Sequence, residues 1–192
     1  MALKPSTMLP LGTPAPSFTL PEAASGEMVS LDQYPDAHAY LVMFICNHCP
    51  YVKHVRPEIA RLARDYQSRE VAILGISSND IVTHPDDSPE LMAREKAEAG
   101  YVFPYLHDET QAVAKAFRAA CTPDFFLFDR DRLLAYRGQL DSSRPGNGLP
   151  LDGGDLRSAL EAVLAGRSPA LDQRPSIGCN IKWKPGAEPD WA

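Results

Sequence analysis

Apolar residues along this chain occur in two alternating patterns, short continuous runs and repeats at helical spacing. The continuous runs predict strands buried on both faces at residues 39–45, 71–76 and 124–128. Helical spacing predicts helices from about Cys46–Pro50 to Tyr66 and at about 89–99, 110–119 and 155–164. Shorter stretches predict strands at 28–31 and 103–106, and residues 133–137 predict the second arm of a hairpin with 124–128. The alternation predicts an α/β fold, with parallel strands in the first half and antiparallel strands added at one side.

The two ends of the chain lack these patterns. Residues 10–21 are proline-rich and predict an extended segment whose Phe18 and Leu20 pack against the body. The last segment contains Trp183 and Trp191, which are costly to leave in water, so it is also expected to pack on the body. The prediction is a single domain over residues 1–192, with an N-terminal arm at 1–27 and a C-terminal extension at 167–192.

The first strand and helix meet at Ile45-Cys46-Asn47-His48-Cys49-Pro50. Two cysteines in a CxxC spacing at a strand-to-helix junction are typical of a dithiol redox site. A helix N-terminus lowers a thiol pKa through its unpaired N–H groups and its dipole. His48 can add a positive charge or a hydrogen-bond donor, which favours the thiolate form. The spacing predicts that Cys46 attacks a disulfide and that Cys49, one turn along, resolves the mixed disulfide.

The charge and the apolar content of the chain argue against several classes of protein. The formal charge of −6 argues against a nucleic-acid-binding protein or a polybasic protein of the membrane surface. No apolar stretch approaches the roughly 20 residues of a membrane span. The segment Met1–Thr7 has one lysine and no apolar run after it, which predicts no signal peptide and a cytoplasmic location. In that reducing compartment a CxxC is catalytic or metal-binding rather than structural. No cofactor is predicted.

Two other interpretations of the CxxC stay open. The cysteines can be small buried hydrophobes, or they can bind zinc or copper(I). The candidate metal ligands are Cys46, Cys49, His48, His54 and Cys121. His38, His84 and His107 fall in predicted loops or at strand edges and are expected to have no role in the site, and Cys179 is expected to be inert or peripheral.

Three segments carry a resemblance to a known family. They are Phe44–His54 with the CxxC, Ala120-Cys-Thr-Pro-Asp-Phe-Phe-Leu-Phe-Asp129, and Pro175-Ser-Ile-Gly-Cys-Asn-Ile-Lys-Trp-Lys-Pro185. Together with the arm Gly12–Phe18, they resemble the peroxiredoxin-like redoxins of the AhpC/TSA branch of the thioredoxin-like superfamily. The resemblance covers nearly the whole chain. It implies a thioredoxin-like fold, with a central mixed sheet flanked by helices, and a redox function.

The sequence departs from the peroxiredoxin pattern Pro-x-x-x-Thr-x-x-Cys. Counted back from Cys49, Cys46 stands in place of the threonine and Val42 in place of the proline. Counted back from Cys46, those places hold Met43 and Ala39. Neither alignment supplies the hydroxyl that orients a peroxide, which argues against peroxidase activity.

The position of the helix proline leaves the nucleophile open. In thioredoxins a tryptophan precedes the first cysteine, and a proline that kinks the helix lies eight residues after the nucleophile. Here Ile45 precedes Cys46, and Pro57 lies eight residues after Cys49 but eleven after Cys46. Cys49 is therefore an alternative nucleophile to Cys46.

The resemblance also implies a cis peptide bond at Thr122-Pro123, beside the dithiol, where it shapes a substrate groove. The alternative is a trans proline at the start of an edge strand. Cys121 lies two residues before Pro123 and is either a third redox thiol or a buried spectator.

The favoured prediction is a thiol–disulfide oxidoreductase that acts on protein disulfides or dithiols. The first alternative is a thiol-dependent peroxidase, an antioxidant enzyme in which Cys49 becomes a sulfenic acid and Cys46 or Cys121 condenses with it. In either case an electron donor such as thioredoxin or glutathione would regenerate the protein. The second alternative is a metal-binding sensor or carrier.

Overall fold

The structure, a computed structural model, describes residues 3–191. Its strands are β1 (Leu3–Pro5), β2 (Leu20–Pro21), β3 (Met28–Val29), β4 (Ala39–Phe44), β5 (Val71–Ser77), β6 (Tyr105–His107), β7 (Cys121–Thr122), β8 (Asp124–Phe128), β9 (Leu134–Gly138) and β10 (Ile177–Asn180). Its α-helices are α1 (Pro50–Tyr66), α2 (Pro89–Ala99), α3 (Ala112–Phe117) and α4 (Gly154–Leu164). The first two residues of the predicted arm and the last residue of the predicted extension lie outside the described range.

The central sheet has five strands in the order β6-β5-β4-β8-β9. Strands β4, β5 and β6 are parallel, whereas β8 is antiparallel to both β4 and β9. This confirms the predicted α/β fold with a central mixed sheet and a terminal hairpin. Within residues 3–191, no helix is both long and apolar enough to cross a membrane.

Strand β4 lies at the centre of this sheet and is buried along its whole length. Its alternate side chains belong to two different cores. Ala39, Leu41 and Met43 pack with buried residues of α1 and α4, whereas Tyr40, Val42 and Phe44 pack with α3 and with Phe18 of the N-terminal arm. A strand covered on both faces needs apolar residues at every position, which explains the continuous apolar run in the sequence.

The predicted element boundaries shift at two places. The strand expected at 103–106 is observed as β6, Tyr105–His107, because Pro104 has no N–H to donate to a strand ladder. The edge strand expected at 28–31 ends at Val29, and a 3₁₀ turn follows at Leu31–Gln33. Neither shift changes the order of the elements.

A second sheet, β1-β10-β7, was not predicted. Strand β10 lies between the other two and is antiparallel to both, with Cys179 opposite Thr122. Gly178 permits this pairing, since a Cβ at that position would lie 2.0 Å from the Thr122 carbonyl oxygen. The small sheet thus places part of the C-terminal segment directly beside Thr122 and Pro123.

Candidate redox site

The CxxC lies in the junction between β4 and α1. Helix α1 begins at Pro50, a residue that suits the first helical position because its missing N–H would be unpaired there anyway. Cys49 is therefore the N-cap residue, and Cys46 lies in the preceding turn. Both side chains are buried, with exposed fractions of 2% for Cys46 and 0% for Cys49. Of the two cysteines, Cys49 is the one at the electropositive helix N-terminus.

The Thr122–Pro123 peptide bond is cis, as predicted, and it adjoins both sulfur atoms. Cys46 Sγ lies 3.2 Å from the Thr122 hydroxyl oxygen. Cys49 Sγ lies 3.3 Å from the Thr122 carbonyl oxygen. The structure thus brings four predicted site residues together. Cys46 and Cys49 lie beside Thr122 and Pro123, which come more than 70 positions later in the sequence.

A third sulfur atom, that of Cys179, lies beside Cys49, which the sequence did not predict. Cys179 Sγ is 2.6 Å from Cys49 Sγ, and the Cys179 side chain is only 2% exposed. The expectation that Cys179 is peripheral is wrong, because β10 inserts it beside Thr122. The sequence carried one signal for this residue, the Pro175–Pro185 segment, but nothing there indicated which cysteine it would meet.

Cys121, the predicted third thiol, lies on β7 and is completely buried. Its Sγ contacts the carbonyl oxygens of Pro123, at 3.5 Å, and Ser176, at 4.0 Å. Burial raises the pKa of Cys121 well above its ordinary value. Cys121 therefore lies in the same layer as the dithiol as a protonated thiol bound to backbone carbonyls.

The three thiols at the start of α1 have pKa values shifted in opposite directions: that of Cys49 is lowered, and those of Cys46 and Cys179 are raised. A hydrogen bond from Cys46, with further hydrogen bonds from Cys179 and the backbone N–H of Val52, lowers the pKa of Cys49 to about 5 against the effect of burial. Burial, the hydrogen bond to Cys49 and the charge of Asp87 raise the pKa of Cys46. Burial and the contact with Cys49 likewise raise the pKa of Cys179 to about 12. At neutral pH the negative charge therefore resides on Cys49, with two thiols beside it.

Asp87 organises the turn that contains the CxxC. Its Oδ1 accepts hydrogen bonds from the backbone N–H groups of Asn47 at 2.8 Å and His48 at 3.3 Å. Its Oδ2 accepts hydrogen bonds from His48 Nδ1 at 2.6 Å and Asn79 Nδ2 at 2.7 Å. These hydrogen bonds lower the pKa of Asp87 although burial acts to raise it. No feature of the sequence indicated this role, since Asp87 lies in a polar turn 39 residues after His48.

The other histidines differ in their relation to the site. The ring of His84, for which no role in the site was predicted, lies 5.0 Å from that of His48. His54 contacts the Ser143 hydroxyl at 3.0 Å and His38 pairs with Glu70 at 3.1 Å. His107 ends strand β6 and is buried, and burial lowers its pKa.

Within residues 3–191, the side chains of Cys46, His48 and Asp87 are the cluster of metal-binding type. Their candidate ligand atoms lie within 4.8 Å of one another. Both carboxylate oxygens of Asp87 already accept hydrogen bonds, Oδ1 from the backbone N–H groups of Asn47 and His48 and Oδ2 from the side chains of His48 and Asn79. The hydrogen bonds account for this cluster without an ion.

Comparison with known proteins agrees with this geometry. The sequence model of the AhpC/TSA family matches residues 11–137, more than half of the chain. The chain belongs to the AhpC/TSA family. The matched segment of this AhpC/TSA protein includes the CxxC, Asp87 and the cis-proline, whereas β10 with Cys179 lies beyond it. Membership of this family supports a thioredoxin-like redox function.

Several solved structures resemble this AhpC/TSA protein. A conserved protein from Geobacillus kaustophilus, described as uncharacterized, is 54% identical over 97% of this chain and 99% of its own, with a TM-score of 0.95. A hypothetical protein from Sinorhizobium meliloti is 48% identical over 95% and 99%, with a TM-score of 0.93. A thiol:disulfide interchange protein of the thioredoxin family from Chlorobium tepidum is 19% identical over 80% and 97%, with a TM-score of 0.62, and shows the shared fold alone. Comparison with curated proteins gave no match.

Proposed function

We propose that this AhpC/TSA protein is a thiol–disulfide oxidoreductase in which Cys49 supplies the attacking thiolate and Cys46 is its disulfide partner. The observation that carries the proposal is the opposite acidity of two adjacent thiols, with the pKa of Cys49 at about 5 and that of Cys46 raised. The thiolate is the nucleophile in thiol–disulfide exchange. This assignment chooses Cys49 over Cys46, which the CxxC spacing alone had favoured.

The exchange proceeds in two steps. The Cys49 thiolate attacks one sulfur of a substrate disulfide, forms a mixed disulfide and releases the other substrate sulfur as a thiolate. Cys46 then loses its proton and attacks Cys49 Sγ, so that the Cys46–Cys49 disulfide forms and the second substrate thiol leaves. The same steps in reverse oxidise a substrate dithiol.

The side chains around Cys46 fit its role as the second thiol. A nitrogen of His48 lies within 4.8 Å of Cys46 Sγ, and His48 Nδ1 lies 2.6 Å from Asp87 Oδ2. We assign to this pair the uptake of the Cys46 proton. The Thr122 hydroxyl, 3.2 Å from Cys46 Sγ, donates to the sulfur once it is a thiolate and so lowers its pKa.

The cis-proline borders a small groove lined by Tyr51, His54, Pro123 and Ile177 among others. We assign the substrate chain to this groove, because its lining residue Pro123 follows Thr122, whose carbonyl oxygen Cys49 Sγ contacts. Since both sulfurs are buried, a protein substrate has to displace part of the covering segment, whereas a small disulfide such as oxidised glutathione has less to displace. The electron donor in this proposal is a thiol such as glutathione or reduced thioredoxin, in a reducing compartment such as the cytoplasm.

Disulfide mapping tests the proposal. Wild-type protein treated with oxidised glutathione should lose two thiols per chain and gain an intramolecular disulfide at Cys49, which dithiothreitol reverses. Cys49→Ser should not lose this pair of thiols, because without Cys49 the intramolecular disulfide cannot form. If Cys46 and Cys49 both stay alkylatable after this treatment, the proposal is wrong.

A second candidate, a thiol peroxidase, is favoured by one observation: Cys49 combines a low pKa with an exposed fraction of 0%, so a peroxide reaches it more readily than a protein does. The thiolate would attack one peroxide oxygen and the O–O bond would break, so that Cys49 becomes a sulfenic acid and the other oxygen leaves, after protonation, as water or an alcohol. Cys46 would then form a disulfide with Cys49 and release water. Peroxide consumption by the wild type but not by Cys49→Ser supports this candidate, and negligible turnover by both excludes it.

A further inference from the structure

Cys49 and Cys179 form a sulfur pair that the two-cysteine scheme does not use. Their Sγ atoms lie 2.6 Å apart, which is within reach of bond formation after a small movement. Both side chains are buried, at 0% and 2% exposed, so no solvent separates them. They lie 130 residues apart in the sequence, so the fold itself creates the contact.

The backbone holds Cys179 in this position from both sides. Strand β10 pairs with β1 through Leu3 opposite Cys179 and with β7 through Thr122 opposite Cys179. The absence of a side chain at Gly178 lets β10 approach the Thr122 carbonyl. Cys179 is therefore part of a hydrogen-bonded three-stranded sheet rather than of a loose tail.

We propose that Cys179 is a third redox thiol, so that Cys49 has two alternative disulfide partners, Cys46 and Cys179. This inference rests on the proposed function, because it requires Cys49 to enter a disulfide. In the exchange, Cys179 loses its proton and attacks Cys49 Sγ, and the Cys46–Cys49 bond breaks. Cys46 leaves as a thiolate and takes up the proton. One disulfide replaces another, so no further oxidant or reductant is needed.

The order of events follows from the charge on Cys49. While Cys49 is a thiolate, its charge and the hydrogen bond that it accepts raise the pKa of Cys179 beyond the effect of burial. Once Cys49 is in a disulfide, its charge is gone and only burial still raises that pKa. Cys179 therefore becomes a better nucleophile after Cys49 has been oxidised, which is when a resolving thiol is needed.

Trypsin separates the two disulfides without ambiguity. Cys46 and Cys49 share the tryptic peptide 1–53, since Lys4 precedes a proline, whereas Cys179 lies on peptide 168–182 and Cys121 on peptide 119–130. A Cys46–Cys49 bond stays within one peptide, but a Cys49–Cys179 bond joins two. Full-length Cys46→Ser protein is treated with oxidised glutathione and digested without reduction. The expected result is a cross-link between peptides 1–53 and 168–182, with less than one glutathione retained per two chains.

Matched variants identify the sulfur that resolves the adduct. Cys46→Ser/Cys121→Ser should still give the cross-link, whereas Cys46→Ser/Cys179→Ser should retain one glutathione per chain on Cys49. The proposal is overturned if Cys46→Ser itself retains that glutathione while Cys179 stays alkylatable. Wild-type protein, which needs no substitution to fold, gives a second readout: partial oxidation should yield both disulfides. If wild-type Cys49 forms no disulfide or adduct at all, the proposed function fails. If it forms only the Cys46–Cys49 disulfide, the proposed function stands, and only the proposal that Cys179 is a third redox thiol is overturned.

Discussion

His48 Nδ1 lies 2.6 Å from Oδ2 of Asp87, a carboxylate whose side chain is completely buried. The same carboxylate holds the backbone N–H groups of Asn47 and His48, the two residues between the cysteines. Asp87 lies in a 3₁₀ turn, Pro85–Asp87, which comes after α1 and β5 in the chain. The geometry of the CxxC turn therefore depends on a residue outside the motif.

Replacing Asp87 with asparagine should destabilise the protein and change the acidity of the site. An amide has one acceptor oxygen where the carboxylate has two, so asparagine cannot accept all four hydrogen bonds that Asp87 accepts, and a hydrogen bond to a charged group contributes about 1.5–3 kcal/mol. The free energy of unfolding of Asp87→Asn should fall by about that amount at pH 7. The pKa of Cys46 should also fall, because the nearby negative charge is removed. Urea unfolding and the pH dependence of Cys46 alkylation measure the two effects.

The difference between Asp87→Asn and the wild type should depend on pH. The folded protein lowers the pKa of Asp87, so its stabilising effect is complete above the ordinary aspartate range and is lost as the pH falls through the lowered folded value. The two unfolding curves should therefore begin to converge below about pH 4 and should meet only below the lowered folded pKa of Asp87. Asp86→Asn is the control. Asp86 is exposed, and only its backbone carbonyl oxygen accepts a hydrogen bond from Asn47, so the substitution leaves that bond in place. A control that loses as much stability as Asp87→Asn would contradict this account.

A single thiolate should titrate near pH 5. The pKa of Cys49 is lowered to about 5, and the pKa values of the other three thiols are all raised. Thiolate absorbance at 240 nm should show one step near pH 5 in the wild type and none there in Cys49→Ser. The alkylation rate of Cys49 should be nearly constant above pH 6 and should fall about tenfold per pH unit below 5.

Two substitutions at Cys179 separate its hydrogen bond from its volume. Cys179→Ala removes the donor and should raise the pKa of Cys49 by about 1–2, since a hydrogen bond to a charge is worth about 1.5–3 kcal/mol and one pKa unit about 1.4 kcal/mol. Cys179→Ser retains a hydroxyl donor and should raise it less. Cys121→Ala is the control for cavity formation in the same layer and should leave the titration unchanged. Equal shifts in Cys121→Ala and Cys179→Ala would argue against the hydrogen bond.

Local signals in the sequence predicted most of the fold and half of the site. These signals act on residues next to them in the sequence, so their effects can be predicted from the sequence. They are the continuous apolar run at β4, the helical repeat of α1 and the prolines at 50 and 123. The cis bond followed from the resemblance together with its place before β8. These features sufficed to place Cys46, Cys49 and Thr122 together.

The remaining site residues depend on contacts that have no local signal. Cys179 reaches Cys49 because β10 pairs with β7, and a four-residue strand without alternation is not distinguishable from a loop in the sequence. Asp87 reaches His48 because the turn before α2 packs against the end of β4. In both cases the side chain has an ordinary neighbourhood in the sequence, and only the tertiary fold gives it a partner.

Thr122 should control how readily Cys46 leaves a disulfide. Its hydroxyl lies 3.2 Å from Cys46 Sγ and lowers the pKa of that thiol. Thr122→Val removes the hydroxyl at nearly constant volume. A neutral hydrogen bond contributes about 0.5–1.5 kcal/mol, so reduction of the oxidised protein by dithiothreitol should slow about 2- to 10-fold. Thr122→Ser keeps the hydroxyl and should stay near the wild-type rate; equal rates for Thr122→Val and the wild type would show that the hydroxyl has no such effect.

Gly178 should be required for the contact between Cys49 and Cys179. A Cβ at this position would lie 2.0 Å from the Thr122 carbonyl oxygen and 2.6 Å from its carbon, so β10 has to move away from β7. Overpacking of this kind costs about 1–3 kcal/mol. Gly178→Ala should therefore lower the free energy of unfolding by that amount and raise the pKa of Cys49, because Cys179 moves off its sulfur.

The same substitution should remove the Cys49–Cys179 cross-link while it preserves the Cys46–Cys49 disulfide, since Cys46 and Cys49 lie three residues apart on the one segment that joins β4 to α1. Disulfide mapping at matched oxidation distinguishes the two products. Leu3→Ala is the control, because the Leu3 side chain on the neighbouring strand β1 is 58% exposed and its loss leaves the backbone pairing with Cys179 intact. Gly178→Ala with wild-type stability and a full cross-link would mean that β10 accommodates the methyl group, and that the close approach to Thr122 does not position Cys179.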